Sequence, residues 1–296
     1  MKRGILLGAL VLVGGLSLTL SARQAPANAP KVIEVEKIKD NLFMLKGGGG
    51  NTAVFVTASG VVVVDAKNPG WGQPILDKIK TFTDKPVTLL INTHTHGDHV
   101  SGNVEFPATI DFVAQENTKA NMEKMPIFKE NNNRGMTKRT FKDKMTIGNG
   151  AEQIDLYYFG RGHTNGDAFV VFPALRLVHA GDIFSGKNLP LIDAANGGSA
   201  VAIGTTLQKA HDGIKNVDAI ITGHSTVMTW ADLAEYAQFN KDVVSWAAGE
   251  KKAGKTAEQA AAEFKVPEKY KGYSSNAPTL FGGMKGMVQG MYDEMR

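Results

Sequence analysis

Seven side chains of this 296-residue chain form a spaced series suited to a two-metal centre: His94, His96, Asp98 and His99 close together, then His163, Asp182 and His224. Imidazole nitrogens and carboxylate oxygens are ligands for zinc and other first-row metals. His94 and His96, two apart, can face one ion from an extended turn, and His163 completes a three-histidine set. Asp98 and His99 lie beyond that ion and serve a second one together with His224. The Asp182 carboxylate has two oxygens, enough to bridge both. Two ions about 3.5–4 Å apart can activate a shared water and stabilise an oxyanion, and coordination draws the pKa of that water toward ~7. The series predicts a hydrolase that works through a hydroxide held between two ions.

The elements that carry these residues are marked by alternation and turn signals. Short strand patterns run from Val32, from Leu42 to Leu45, and over 52–57 and 61–65, the last two joined by Ala58-Ser59-Gly60. Pro69-Gly70 starts a turn before helical spacing over 72–82, and the apolar strand Val87–Ile91 delivers the histidine cluster at its C-terminal end. Further strands are expected at 110–113, 155–159, 168–172, 175–178 and 217–221, with helices over 199–214 and 229–248. Another helix starts at Thr256, with Gln259 in the reciprocal capping position, and Pro267 stops it. Two hairpin-then-helix halves, with candidate ligands at strand ends in each, favour two sheets packed face to face with helices outside.

The motifs His94-Thr95-His96-Gly97-Asp98-His99, Gly162-His163-Thr164-Asn165-Gly166-Asp167, His179-Ala180-Gly181-Asp182 and Gly223-His224 together resemble the metallo-β-lactamase superfamily. Val61–Asp65 and Ile91-Asn92-Thr93 also look like that family's strand endings, and the resemblance covers roughly residues 32–226. It implies an α+β fold, a four-layer αββα sandwich, here with extra C-terminal helices. It also implies a binuclear site at one edge of the two sheets, a bridging hydroxide that attacks a carbonyl or phosphoryl centre, and Asp98 as the catalytic residue that orients the proton or shuttles it to the leaving group. Lactamases with a thiolate ligand carry cysteine where Asp182 stands, and this chain has no cysteine. The resemblance is therefore closer to bridging-aspartate hydrolases: thioesterases resembling glyoxalase II, and lactonases. The expected cofactor is two zinc ions, with manganese or iron as alternatives. The expected substrate is a small ester, thioester, lactone or lactam. One alternative is a β-lactamase proper. The other is an oxidoreductase resembling the mononuclear-iron persulfide dioxygenases, although one iron held by two histidines and an aspartate leaves four of the seven residues unexplained.

Composition sets the remaining bounds. A net charge of +4, about +2 without Lys2 and Arg3, gives no case for a nucleic-acid partner. Lys2 and Arg3 followed by the apolar run Ile5–Leu20 read as a signal peptide over residues 1–22, with an uncleaved anchor as the rival reading. This predicts a periplasmic or secreted protein with no stable membrane span after signal removal. Residues 23–30 read as a flexible spacer, 31–226 as the catalytic domain and 227–296 as helices packed on the same domain. Lys187 and Trp71 are candidate substrate contacts, each with a bland rival: a solvated loop lysine and an anchor for a helix start. His179 is expected to pack or to support a ligand, and His211 to sit exposed on a helix. Gly47–Gly50 reads equally as a substrate loop or a hairpin connector, and the basic stretch 123–144 as a solvated connector or a lid.

Overall fold

The structure, a computed structural model, describes residues 31–274 and 282–295. The export segment and spacer read from residues 1–30 lie outside these. Strands β1 (Glu34–Lys39), β2 (Leu42–Lys46), β3 (Thr52–Val56) and β4 (Val61–Val64) form an antiparallel meander. Beyond it, β5 (Val87–Ile91), β6 (Asp111–Gln115) and β7 (Arg139–Phe141) add in parallel, making a seven-stranded sheet in sequence order. The second sheet contains β8 (Lys144–Ile147), β9 (Ile154–Tyr157), β10 (Phe169–Phe172), β11 (Leu177–Gly181), β12 (Ala219–Thr222) and β13 (Met228–Thr229), ordered β13-β12-β11-β10-β9-β8. Only β11 and β12 run parallel there.

Side-chain alternation explains the layering. Ala53, Phe55, Val62, Val64, Leu89 and Ile91 point from the first sheet into a core completed by Leu156, Val170, Phe172, Leu177 and Ile221 of the second. Their neighbours Val54, Val61, Val63 and Leu90 point outward onto Ile75 and Ile79 of α1 (Gly72–Ile79). Strands buried on both faces read as continuous apolar runs, as Val61–Val64 does. On the far side, Phe169, Val171, Val178 and Ile220 meet a helical layer. The short helices α2 (Gly97–Val100), α3 (Glu116–Met122) and α4 (Pro126–Glu130) belong to the first half. The outer layer on the second sheet is α5 (Ile203–Gly213), α6 (Trp230–Lys252), α7 (Ala257–Glu263) and α8 (Gly283–Glu294). This is an αββα sandwich extended by C-terminal helices, as the resemblance implied.

Two local differences have physical causes. The stretch 123–144, read as a solvated connector or a lid, carries regular structure: it contains α4 and β7, and β8 starts at Lys144. Only Phe141 of β7 is buried, and three residues are too few to display a period. The strand expected to end at Asp65 stops at Val64, because Asp65 takes a left-handed backbone with φ of 64°. The capping boxes behave as sequence rules require: Thr229 with Asp232 opens α6, and Thr256 with Gln259 opens α7. Helix α7 ends at Glu263, before Pro267 is reached.

Phe55 and Phe172 meet edge to face across the sandwich, with centroids 5.1 Å apart. Phe172→Ala should lower unfolding free energy by about 3–5 kcal/mol in a denaturant titration, through lost burial and the cavity left behind.

Candidate metal centre

All seven candidate residues converge at one end of the sandwich, past the C-terminal ends of β5, β11 and β12 or, for His163, in the loop from β9 to β10. The turn after β5 is anchored by Asp65. Its Oδ1 accepts the Thr93 N–H at 2.8 Å, and its Oδ2 accepts the Thr93 hydroxyl at 2.7 Å and faces His99 Nδ1 at 2.7 Å. The parallel pairing of β4 with β5 puts Asp65 beside Thr93, so the left-handed turn at Asp65 aims a carboxylate into the next loop. The single turn of α2 then presents Asp98 and His99, with the His99 N–H donating to the His96 carbonyl at 2.9 Å.

Two groups that could hold a metal ion result, with Asp182 in the first and facing the second. His94, His96, His163 and Asp182 have donor atoms within 4.8 Å of one another, and so do Asp98, His99 and His224. Asp182 Oδ2 lies 3.9 Å from His94 Nε2, 3.8 Å from His163 Nε2 and 3.2 Å from His224 Nε2, while Oδ1 lies 3.3 Å from His99 Nε2. Asp98 Oδ2 is 3.2 Å from His224 Nε2 and 3.7 Å from His99 Nε2. One carboxylate thus faces both sets.

The outer contacts of the rings fix which nitrogen faces inward. His163 Nδ1 donates to the Leu191 carbonyl at 2.8 Å, and His96 Nε2 to Asp193 Oδ2 at 2.7 Å. His94 Nδ1 donates to Thr93 Oγ1 at 2.9 Å, because that hydroxyl has given its proton to Asp65. The inner nitrogens of His163 and His96 stand 2.9 Å apart, within hydrogen-bond distance. Buried polar atoms are ordinarily partnered. His94 Nε2 and Asp182 Oδ1, both buried, have no hydrogen-bond partner. Such orphaned atoms, in an oxygen and nitrogen donor set, fit a bound metal ion.

Charge is divided unevenly between the two groups. Burial pushes the His163 pKa down to about 4, and burial with neighbouring His99 and His163 pushes His94 well below its usual range, leaving both neutral ligands. Burial also disfavours charge on His224, but Asp182 and Asp98 overcome it and lift the pKa to about 9. Asp182 stays ionised well below the usual carboxylate range: burial opposes this, and the His99 and His224 cations outweigh it.

The remaining candidates separate cleanly. The cleft has a volume of about 480 Å³ and is lined by ligands together with Gly97, Leu191 and Asp193. Lys187 is not among its lining residues: its ammonium is held by Asp232 at 2.7 Å and Glu235 at 3.1 Å on α6. Trp71 is also absent from the lining and packs in the core under α1, its indole against Gly48. His179 supports rather than ligates; its Nδ1 accepts the Gly181 N–H, so Nε2 donates to the Asn51 carbonyl at 3.0 Å. His211 is half-buried on α5 and stacks on Trp230 at 5.5 Å. Gly47–Gly50 is a connector between β2 and β3, and Gly50 lies flat against the His99 ring, where a β-carbon would collide. Asp193 and Asn51 are functional neighbours that sequence reasoning did not assign. Asp193 lies 97 residues from His96, and no local pattern announces that contact.

Gly223 is as constrained as Gly50, because a β-carbon there would overlap Asp182 Oδ1. Overpacking of this kind costs about 1–3 kcal/mol, so Gly223→Ala should weaken metal affinity roughly 5- to 150-fold in a chelator-competition titration.

Comparison with known proteins agrees with this geometry. Residues 45–224 match the family model described as "Metallo-beta-lactamase superfamily". The "Metallo-beta-lactamase type 2" of Elizabethkingia meningoseptica is 27% identical over 235 residues, covering 73% of this chain and 87% of that protein. A "Hydroxyacylglutathione hydrolase" of Nostoc punctiforme is 29% identical over 164 residues, and the match spans about half of each, 54%. The solved structure of a metallo-β-lactamase from Pontibacter korlensis superposes with a TM-score of 0.60 at 20% identity, covering 71% of this chain and 99% of that one. With a family match across most of its length and a histidine–aspartate metal site in the expected cleft, the chain belongs to the metallo-β-lactamase superfamily and is a metal-dependent hydrolase.

Proposed function

We propose that the chain is an exported hydrolase using two zinc ions to cleave a small ester, thioester, lactone or lactam at its carbonyl carbon. The observation that carries this is the pair of ligand groups meeting on one carboxylate, Asp182. Two bound zinc ions would supply an acidified water and a Lewis-acid contact for the carbonyl oxygen. His94, His96 and His163 would hold one ion, Asp98, His99 and His224 the other, with Asp182 between them.

The protein contributes orientation and proton handling. Asp98 is partly exposed on the cleft wall and hydrogen-bonded to His224, a position from which its carboxylate can receive a proton and deliver it to a leaving group. Asp193 and the Leu191 carbonyl hold the His96 and His163 rings from behind, so these ligands need not reorganise during turnover. Among the described residues none that lines the cleft is lysine or arginine, and Lys187 is engaged by α6. An uncharged ester or lactone therefore suits the cleft better than a substrate recognised through its own carboxylate. The lactam reading is favoured by the Elizabethkingia relative, which spans most of this chain. A single-iron oxidoreductase would leave four of the seven converging residues without a role.

The test is metal analysis followed by a panel of chromogenic esters, thioesters, lactones and β-lactams. Two zinc ions per chain and turnover of at least one carbonyl class are expected; two metals with no turnover on any of them would sink the carbonyl assignment. Iron content with oxygen uptake on glutathione persulfide would favour the oxidoreductase instead. Dialysis against a chelator should abolish turnover, and added zinc should restore it. Asp98→Ala should lower kcat about 10²–10⁴-fold at saturating zinc, the range of general acid–base contributions. Export rests on Lys2, Arg3 and the apolar run that follows. A mature N-terminus just after Ala22 or Ala27, read by terminal sequencing of secreted material, would support it, and an intact Met1 on cytoplasmic protein would overturn it.

A further inference from the structure

We infer that Asn51 is a positioning residue for the second metal subsite, fixing His224 against Asp98 and His99 by fastening the two sheets together at that point. The inference rests on the proposed reading of those three side chains as ligands. Asn51 immediately precedes β3 in the first sheet, and Thr222 ends β12 in the second. The Asn51 backbone N–H donates to the Gly223 carbonyl at 2.7 Å. Its side-chain Nδ2 donates to the Thr222 carbonyl at 2.9 Å and the Ser225 carbonyl at 2.8 Å. The carbonyls on both sides of His224 are thus held by one residue. The Asn51 carbonyl receives the His179 Nε2 proton, and His179 in turn accepts the N–H of Gly181, one residue before Asp182.

The preceding glycine extends the clamp. Gly50 N–H donates to the Asp98 carbonyl at 3.1 Å, and its α-carbon lies against the His99 ring. Its carbonyl accepts from Lys67 Nζ at 2.7 Å, a buried ammonium that also holds the Leu45 carbonyl at 2.9 Å. The dipeptide Gly50-Asn51 therefore touches the chain at Asp98, at His99 and at the residues on both sides of His224. The rings of His94, His96 and His163 are oriented instead by Thr93, Asp193 and Leu191. His224 is the most exposed of the ligands whose exposure bears on the cleft, at 37%, and it sits on a loop outside regular structure. Such a ligand depends on its loop for placement. An amide nitrogen can serve two carbonyls at once, whereas a carboxylate of the same shape would face them with acceptors only.

The test titrates zinc into metal-free full-length protein by calorimetry and follows cobalt(II) loading by visible absorption. Wild type, Asn51→Leu and Asn51→Gln are compared, with Asn240→Leu as control, since that buried asparagine serves only α6 through the Tyr236 carbonyl. Wild type and the control should bind two ions. Asn51→Leu should keep the first site within about threefold and weaken the second about 10–100-fold, the usual cost of losing a group that orients a ligand. Asn51→Gln, which retains the amide, should recover part of the loss. Equal weakening of both sites, an unchanged second site, or the same split in Asn240→Leu would each overturn the inference. Should Asn51→Leu fail to fold by circular dichroism, Asn51→Gln and Asn51→Ser read the same split between sites. Wild type taking up no zinc would bring down the proposed function along with the inference. Two ions in wild type and an unaltered Asn51→Leu would bring down the inference alone.

Discussion

Five imidazoles and two carboxylates can be crowded into one cleft only if positive charge sits among their inward-facing atoms. At one group burial holds His94 and His163 neutral, the outer nitrogens of the three rings meet Thr93, Asp193 and the Leu191 carbonyl, and the inner nitrogens of His163 and His96 stand 2.9 Å apart. At the other, Asp182 and Asp98 lift the His224 pKa to about 9, so positive charge is favoured between the two carboxylates. A metal ion would fit both arrangements, with these nitrogens and carboxylate oxygens as its donors. The fold has to bring these atoms within a few tenths of an ångström of the right places, and most of its buried polar contacts near the cleft serve that purpose.

The sandwich accomplishes this by ending strands of both sheets at the same edge. Parallel pairing is used sparingly in the second sheet, only between β11 and β12, and that pair delivers Asp182 and His224 side by side. In the first sheet, the parallel β4–β5 pair delivers Asp65 beside the His94–His99 turn. Asp65 accepts three donors from that turn, and this couples a buried charge to backbone and ring alike. Burying a carboxylate is costly unless its lone pairs are filled, and here the filling fixes a ligand's tautomer as well as its position.

The convergence of the seven residues was legible in the sequence because metal chemistry admits few residue types and because four of the seven lie within six residues. The major strands were legible for a related reason: Val61–Val64 is buried on both faces and reads as an unbroken apolar stretch, and Leu89–Ile91 of β5 does the same. What remained hidden was carried by single residues at long separation. Asp193 reaches His96 across 97 positions, and Asn51 reaches Ser225 across 174; neither has a local spacing that betrays a partner. Lys187 illustrates the opposite error. A lysine five residues past Asp182 suggested a substrate contact, but the acidic first turn of α6 sits close enough to claim it. Strand β7 escaped notice because one buried phenylalanine makes no pattern.

The two ligand groups also differ in their relation to solvent, and the difference gives the site a direction. His94 and His163 are completely buried, or nearly so, whereas Asp98 and His224 are about a third exposed. An incoming molecule therefore meets Asp98 and His224 before it meets the three-histidine group. Exposure leaves Asp98 open to the cleft, but it also deprives His224 of the packing that holds a buried ring in place. Backbone hydrogen bonds from across the sandwich supply that restraint instead, and they do so without filling the cleft. This is why glycines crowd the same edge: at Gly50 and Gly223 the main chain approaches His99 and Asp182 so closely that no side chain fits between. The run at 47–50 thus brings backbone close to the ligands themselves, and openness toward substrate is obtained by rigidity immediately behind them.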